Sequence, residues 1–142
     1  MGETNLHHLL RNLSPVLLPD AYFFISLPKV SHELLALQPF AIIQETEGTT
    51  LVVNEQSLEA LKENNHIQQI SAPYRAIKLS VHSSLEAVGL TAAVSSALAK
   101  ESIAANIIAG FYHDYCFVPA LKANEAIQIL EKLQQQPKDK LT

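Results

Sequence analysis

Along the chain the apolar period switches repeatedly between two and 3.6, the spacings of a strand face and of a helix face. "AYFFIS" (21–26) and "FAIIQETE" (40–47) are rich in strand formers. "TTLVV" follows Glu47-Gly48 directly, so a hairpin is predicted there. Asn54 offers an N-cap to "EQSLEALKENN", whose apolar stripe is Leu58 and Leu61 and whose stop residues are Asn64 and Asn65. The same order then recurs. "YRAIKLSV" alternates, with Ile77, Leu79 and Val81 on one face. "GLTAAVSSALAKES" carries Leu90, Ala93, Val94, Ala97 and Leu98 at helical spacing. "AANIIAGF" and "YCFVP" predict two strands, and Asn124 is placed to cap a helix striped by Ala126, Ile127, Leu130 and Leu133.

A β–α–β–β–α order thus occurs twice, offset by about half the chain. The copies are unequal: "VSHELLALQ" is a short, poor helix where the second copy has a full one. Neither copy clearly owns a last strand, and the N-terminal "SPVLLP" is a candidate to supply one. Strands and helices alternating around a hairpin in each copy predict an α+β fold of ferredoxin-like βαββαβ type, a tandem duplication whose antiparallel sheets are covered by helices on one face. The expected division is 1–70 and 71–142.

Composition narrows the function classes. The net charge of −4 leaves no footprint for nucleic acid, and no basic stripe appears. No apolar run approaches the roughly 20 residues that cross a bilayer. The start lacks the basic and apolar regions of a secretion signal, and one cysteine forms no internal disulfide; a cytoplasmic protein is expected.

"FYHDYCFVP" (111–119) gathers a histidine, an aspartate and the cysteine in nine positions. A nucleophilic Cys116 would need an imidazolium beside it and a third group to orient the pair. Read as a hairpin with His113-Asp114 at its tip, the segment puts Cys116 inside a strand, where cysteine packs as a small hydrophobe. His113-Asp114 also spells a dipeptide of metal-dependent phosphohydrolases, but those need further ligands on helices. Of the six histidines only the adjacent His7-His8 are closely spaced; His82 and His113 could meet across neighbouring strands. No enzyme, cofactor or metal is expected.

From Gly89 to Ile108, "GLTAAVSSALAKESIAANII" resembles the ACT domain, the regulatory module of aspartate kinases. The shared register is Gly89, Ala92, Ala97-Leu98-Ala99, Ile103 and Ile108. The longer stretch from "VHSSLEAVGL" to "YCFVP" is similar to small bacterial proteins of two tandem ACT-like units, related to the ACT units of CASTOR-type arginine sensors. Ser102 stands where such helices usually end in glycine, at a cost of about 1 kcal/mol in the left-handed region. The resemblance implies a non-catalytic regulatory protein that binds an amino acid at the seam between two units. Carried over by motif, the binding loop is His82, Ser83, Ser84, Leu85, Val88, Gly89 and Leu90, and the neighbouring strand gives Asn106, Ile107 and Ile108. Gly89 opens a helix whose free N–H groups suit a carboxylate, while strand carbonyls suit an ammonium. Val88, Leu90 and Ile107 would wall the side chain, with His113 and Asp114 as accessories. Each residue also has a purely structural reading: Gly89 for close packing, Ser83 and Ser84 as caps, Asn106 as a solvent-facing residue. The alternative to a sensor is an assembly module joined through sheet edges; a Cys/His enzyme is a third. A homodimer or higher homo-oligomer is expected. A bulky residue at position 89 should abolish ligand response without unfolding the protein.

Overall fold

The computed structural model describes residues 5–64 and 67–136. The elements run α1 (Leu6–Arg11), β1 (Pro15–Leu27), α2 (His32–Leu35), β2 (Ala41–Gln44), β3 (Thr49–Asn54), α3 (Glu55–Asn64), β4 (Gln69–Ile70), β5 (Tyr74–Leu79), α4 (Leu90–Ala99), β6 (Asn106–Ala109), β7 (Asp114–Pro119) and α5 (Ala123–Gln134). They form an α+β, ferredoxin-like duplication. Contacts divide it into two compact units. Residues 20–74 make an inserted unit; the chain up to residue 19 and from residue 75 onward makes a composite one.

In the inserted unit the strand order is β2-β3-β1-β4. Tyr22 to Leu27 of β1 pair antiparallel with Asn54 to Thr49, and Ile25-Ser26 pair with Ile70-Gln69. The helix-facing residues Ile25, Leu27, Leu51 and Val53 bury against Leu34, Leu58 and Leu61. Asn54 caps α3 as expected, its Oδ1 accepting from the Ser57 N–H at 2.9 Å. The hairpin between β2 and β3 closes with Glu45 N–H to Gly48 O at 2.9 Å. At Gly48 a Cβ would lie 2.6 Å from the Leu27 carbonyl oxygen, so only glycine fits. The strand expected to reach Glu47 stops at Gln44 because this turn takes the remaining residues.

In the composite unit the order is β1-β5-β7-β6, so the "SPVLLP" segment does lie beside β5. Ser80 and Val81 N–H groups donate to the Ser14 and Leu13 carbonyls, both at 3.4 Å. Ile77, Leu79, Cys116 and Val118 face a layer of three helices, contributed by Leu9 and Leu10, by Val94 and Leu98, and by Ala126 and Leu130. Helix α1 is an element that strand and helix patterning did not predict, although Leu6, Leu9, Leu10 and Leu13 follow the i, i+3, i+4, i+7 spacing. Its six residues would be marginal alone. Tertiary packing holds it, with Leu9 and Leu13 fully buried. Gln134 then clamps the turn that follows: its Nε2 donates to the Arg11 carbonyl at 3.0 Å, and its Oε1 accepts from Ser14 N–H at 3.2 Å.

Two boundaries differ from expectation. Helix α5 begins at Ala123, one residue before the expected cap Asn124, because a short 3-10 turn at Ala120–Lys122 leads directly into it. The β6–β7 turn has Phe111 and Tyr112 at its tip, closed by Gly110 N–H to His113 O at 2.8 Å. Asp114 is therefore a strand residue paired with Ala109, not a tip residue. The expected C-terminal tail at Pro137 and the second stop residue Asn65 lie outside the described residues.

Ser102 has φ +59°, and the Ser102 and Ile103 N–H groups donate to the Ala99 and Leu98 carbonyls. This is a Schellman-type helix end with serine at the glycine position. The left-handed backbone costs a non-glycine residue about 1–2 kcal/mol, and glycine's extra unfolded freedom returns about 0.5–1 kcal/mol. Ser102→Gly is expected to stabilise by roughly 0.5–1 kcal/mol and raise the melting temperature by a few degrees. Unchanged or lower melting in thermal denaturation would refute this.

Candidate functional site

In the inserted unit, Pro28 follows the last residue of β1, and the chain turns through Val30 and Ser31 into α2. Ser31 is extended (φ −126°, ψ 164°) and its hydroxyl caps nothing. Helix α2 is anchored by Leu34, which is buried, whereas the adjacent Leu35 stays 55% exposed. Opposite lies β2, outermost in the strand order, on which Ile42 and Gln44 share one face. Between them is an open groove of about 470 Å³ lined by Val30, Ser31, His32, Leu35, Ile42 and Gln44. A groove of that size suits a small molecule.

This groove occupies, in the first repeat, the place that sequence reasoning assigned to the binding site in the second: the loop after a first strand, facing a second strand. Sequence reasoning did not single out these lining residues because the motif is recognisable only in the second copy. The available signal was the repeat itself: in element order the loop after β1 corresponds to the loop after β5, and β2 to β6.

In the composite unit the expected site residues have different surroundings. Leu90 is in the core, and Ile107 packs against that core from the register position opposite Cys116. Val88 is 82% exposed and Leu85 is also exposed. Ser83 is buried; the Ser84 hydroxyl accepts from the Glu86 N–H at 3.1 Å and so holds its own turn. Gly89 caps α4 with φ +99°, and a Cβ there would lie 3.1 Å from a Leu6 methyl of α1. Asn106 is exposed on the outermost strand, opposite Phe117, and Ile108 pairs with Tyr115.

The expected meeting of His82 and His113 does occur. Their ring centroids are 6.3 Å apart, and the Tyr112 ring is 5.5 Å from His82. Burial first, then the positive charges of Lys78 and His82, hold the His113 imidazole below its ordinary pKa, against a hydrogen bond to the Ser80 backbone and the Asp114 carboxylate. Burial raises the Asp114 carboxyl, opposed by His113. Among the described residues no group of three or more His, Cys, Asp or Glu side chains is placed to hold a metal ion. Cys116 is fully buried in the helix-facing core, and burial pushes its thiol up to about 12. At neutral pH it is a packing residue with almost no thiolate. A second groove, about 510 Å³, runs between α4 and α5 and is edged by Lys100, Glu101 and Lys132. Among the described residues no helix is long and apolar enough to cross a membrane.

The ACT domain family matches this chain twice, over residues 1–67 and 71–132. A Vibrio cholerae protein of unknown function, described as a possible transport protein, is 43% identical over 86% of this chain and 89% of its own, with a TM-score of 0.74. The ligand-free regulatory subunit of aspartate kinase from Thermus thermophilus has the same fold at 14% identity, over 86% of this chain and 97% of its own, with a TM-score of 0.65. The corresponding Thermus flavus subunit gives 14% identity, 84% and 95% coverage and a TM-score of 0.60. No curated protein matches.

Proposed function

Because the chain belongs to the ACT-domain family, as a tandem of two ACT domains, we propose that it is a non-catalytic regulatory protein whose ligand is an amino acid or a similar small metabolite. The ligand lies where the loop after an ACT unit's first strand meets a second strand. The observation that carries this reading is the open groove between the 28–31 loop and β2. Leu35 and Ile42 give it apolar walls, and Ser31, His32 and Gln44 give it polar groups, the combination a small zwitterion needs. His82 to Leu90 with Asn106 to Ile108 are the second candidate position, and His113 with Asp114 border it as accessories. The protein works in the cytoplasm as a homodimer or higher homo-oligomer. Regulation arises from unequal ligand affinity for two assembly or partner-binding states, since equal affinity shifts nothing.

Thermal-shift and calorimetric titration against the twenty amino acids should find a stabiliser. At one hundred times Kd the linkage is worth about 2.7 kcal/mol. Silence across amino acids and purine or pyrimidine metabolites would reject the reading. The outermost positions of β2 and β6 favour, as a second reading, assembly through sheet edges without a ligand. Light scattering with and without the stabilising amino acid separates the two.

A further inference from the structure

The groove of the inserted unit has a composition that bears on which ligand it takes. Its walls are Val30, Leu35 and Ile42, all aliphatic, and its polar members are Ser31, His32 and Gln44. Among the described residues that line it there is no Asp, Glu, Lys or Arg. The groove between α4 and α5, by contrast, is edged by three charged side chains, so charge is not scarce on this molecule.

We infer that the inserted unit's groove selects an amino acid with a neutral aliphatic side chain, of valine to methionine size, over lysine, arginine, aspartate and glutamate. This rests on the ligand-binding reading above and deepens it. A charged side chain resting against the aliphatic walls gives up part of its water and finds no Asp, Glu, Lys or Arg among the lining residues to offset the loss. An aliphatic one removes apolar surface from water on both itself and the wall. Leu35 adds a second observation. It sits next to a buried leucine on a four-residue helix, yet more than half of it faces solvent. A large aliphatic side chain exposed at the mouth of a groove is the wall a matching ligand would cover. The polar members complete the recognition: the Ser31 hydroxyl and the Gln44 amide each carry a donor and an acceptor, enough for the carboxylate and ammonium ends that every amino acid shares. Specificity then resides in the aliphatic wall.

The test uses the full chain, with thermal shift and calorimetry against L-alanine, L-valine, L-leucine, L-methionine, L-lysine, L-arginine, L-aspartate and L-glutamate. Affinity should rise at least about tenfold from alanine to leucine or methionine, as expected for added methylenes in an apolar pocket. The four charged amino acids should give no shift. Leu35→Glu, at an exposed position that tolerates the change, should cost leucine binding at least tenfold. If lysine, arginine or an acidic amino acid stabilises the wild type more than leucine, the selectivity is overturned while the ligand-binding reading stands. If leucine binds Leu35→Glu as tightly as wild type, the assignment to this groove is overturned. If none of the twenty amino acids binds, the selectivity is overturned; only if the purine and pyrimidine metabolites are silent as well does the ligand-binding reading fall with it.

Discussion

Residues 71–142 expressed alone are expected to be unfolded, with no cooperative melt by circular dichroism. The segment holds three strands and two helices of the composite unit that look self-sufficient in sequence, yet its core is completed from the other end of the chain. Leu9, Leu10 and Leu13 lie in one buried cluster with Leu98 and Leu130. Losing one such side chain costs about 2–5 kcal/mol, and the total stability of a domain is about 5–15 kcal/mol. Losing all three consumes that stability. The fragment also loses the start of β1, leaving the Ser80 and Val81 N–H groups without the Ser14 and Leu13 carbonyls. A permuted chain that appends residues 5–19 to the end of 75–136 should recover a cooperative transition. A native-like melt of 71–142 by itself would show that α1 and β1 are dispensable and that this account of the core is wrong.

Gly89→Val is expected to lower unfolding stability by about 2–3 kcal/mol, read as a lower urea midpoint. At φ +99° a β-branched residue is strained by about 1–3 kcal/mol. Its Cβ would also begin 3.1 Å from the Leu6 methyl. Leu6 is flexible enough to turn partly aside, so the backbone supplies most of the cost. Gly89→Ala should pay less, about 1–2 kcal/mol. This changes what position 89 can test. Sequence reasoning expected a bulky residue there to remove ligand response and spare the fold; the backbone makes the fold the first casualty. A Gly89→Val midpoint within experimental error of wild type would contradict the left-handed assignment. Leu35, exposed and unstrained, is the better position for separating binding from folding.

Much of the architecture was legible locally. The strands at 21–26 and 49–53, the cap at Asn54, the strained Ser102 and the burial of Cys116 all follow from residue type and period. These are properties of a residue and its near neighbours. Helix α1 was legible in principle, since its leucines keep helical spacing, but a six-residue helix is decided by what it packs on. The candidate groove was harder to read. The motif in the second copy points to Gly89, whereas the described groove lies in the first copy, where "PKVSHELL" and "AIIQ" bear no recognisable motif.

The sequence by itself determined a twice-repeated ferredoxin-like unit, the ACT resemblance and the packing role of Cys116, because hydrophobic period, caps and turn residues act over a few positions. "FYHDYCFVP" is the clearest instance: strand alternation alone was enough to take the cysteine away from catalysis. Only the tertiary structure decided that residues up to 19 complete the unit begun at 75, that Leu6 lies on Gly89, and that a groove opens beside Leu35. Each of these depends on which distant segments meet. That is set by the burial of whole faces against one another, a quantity that no local pattern contains.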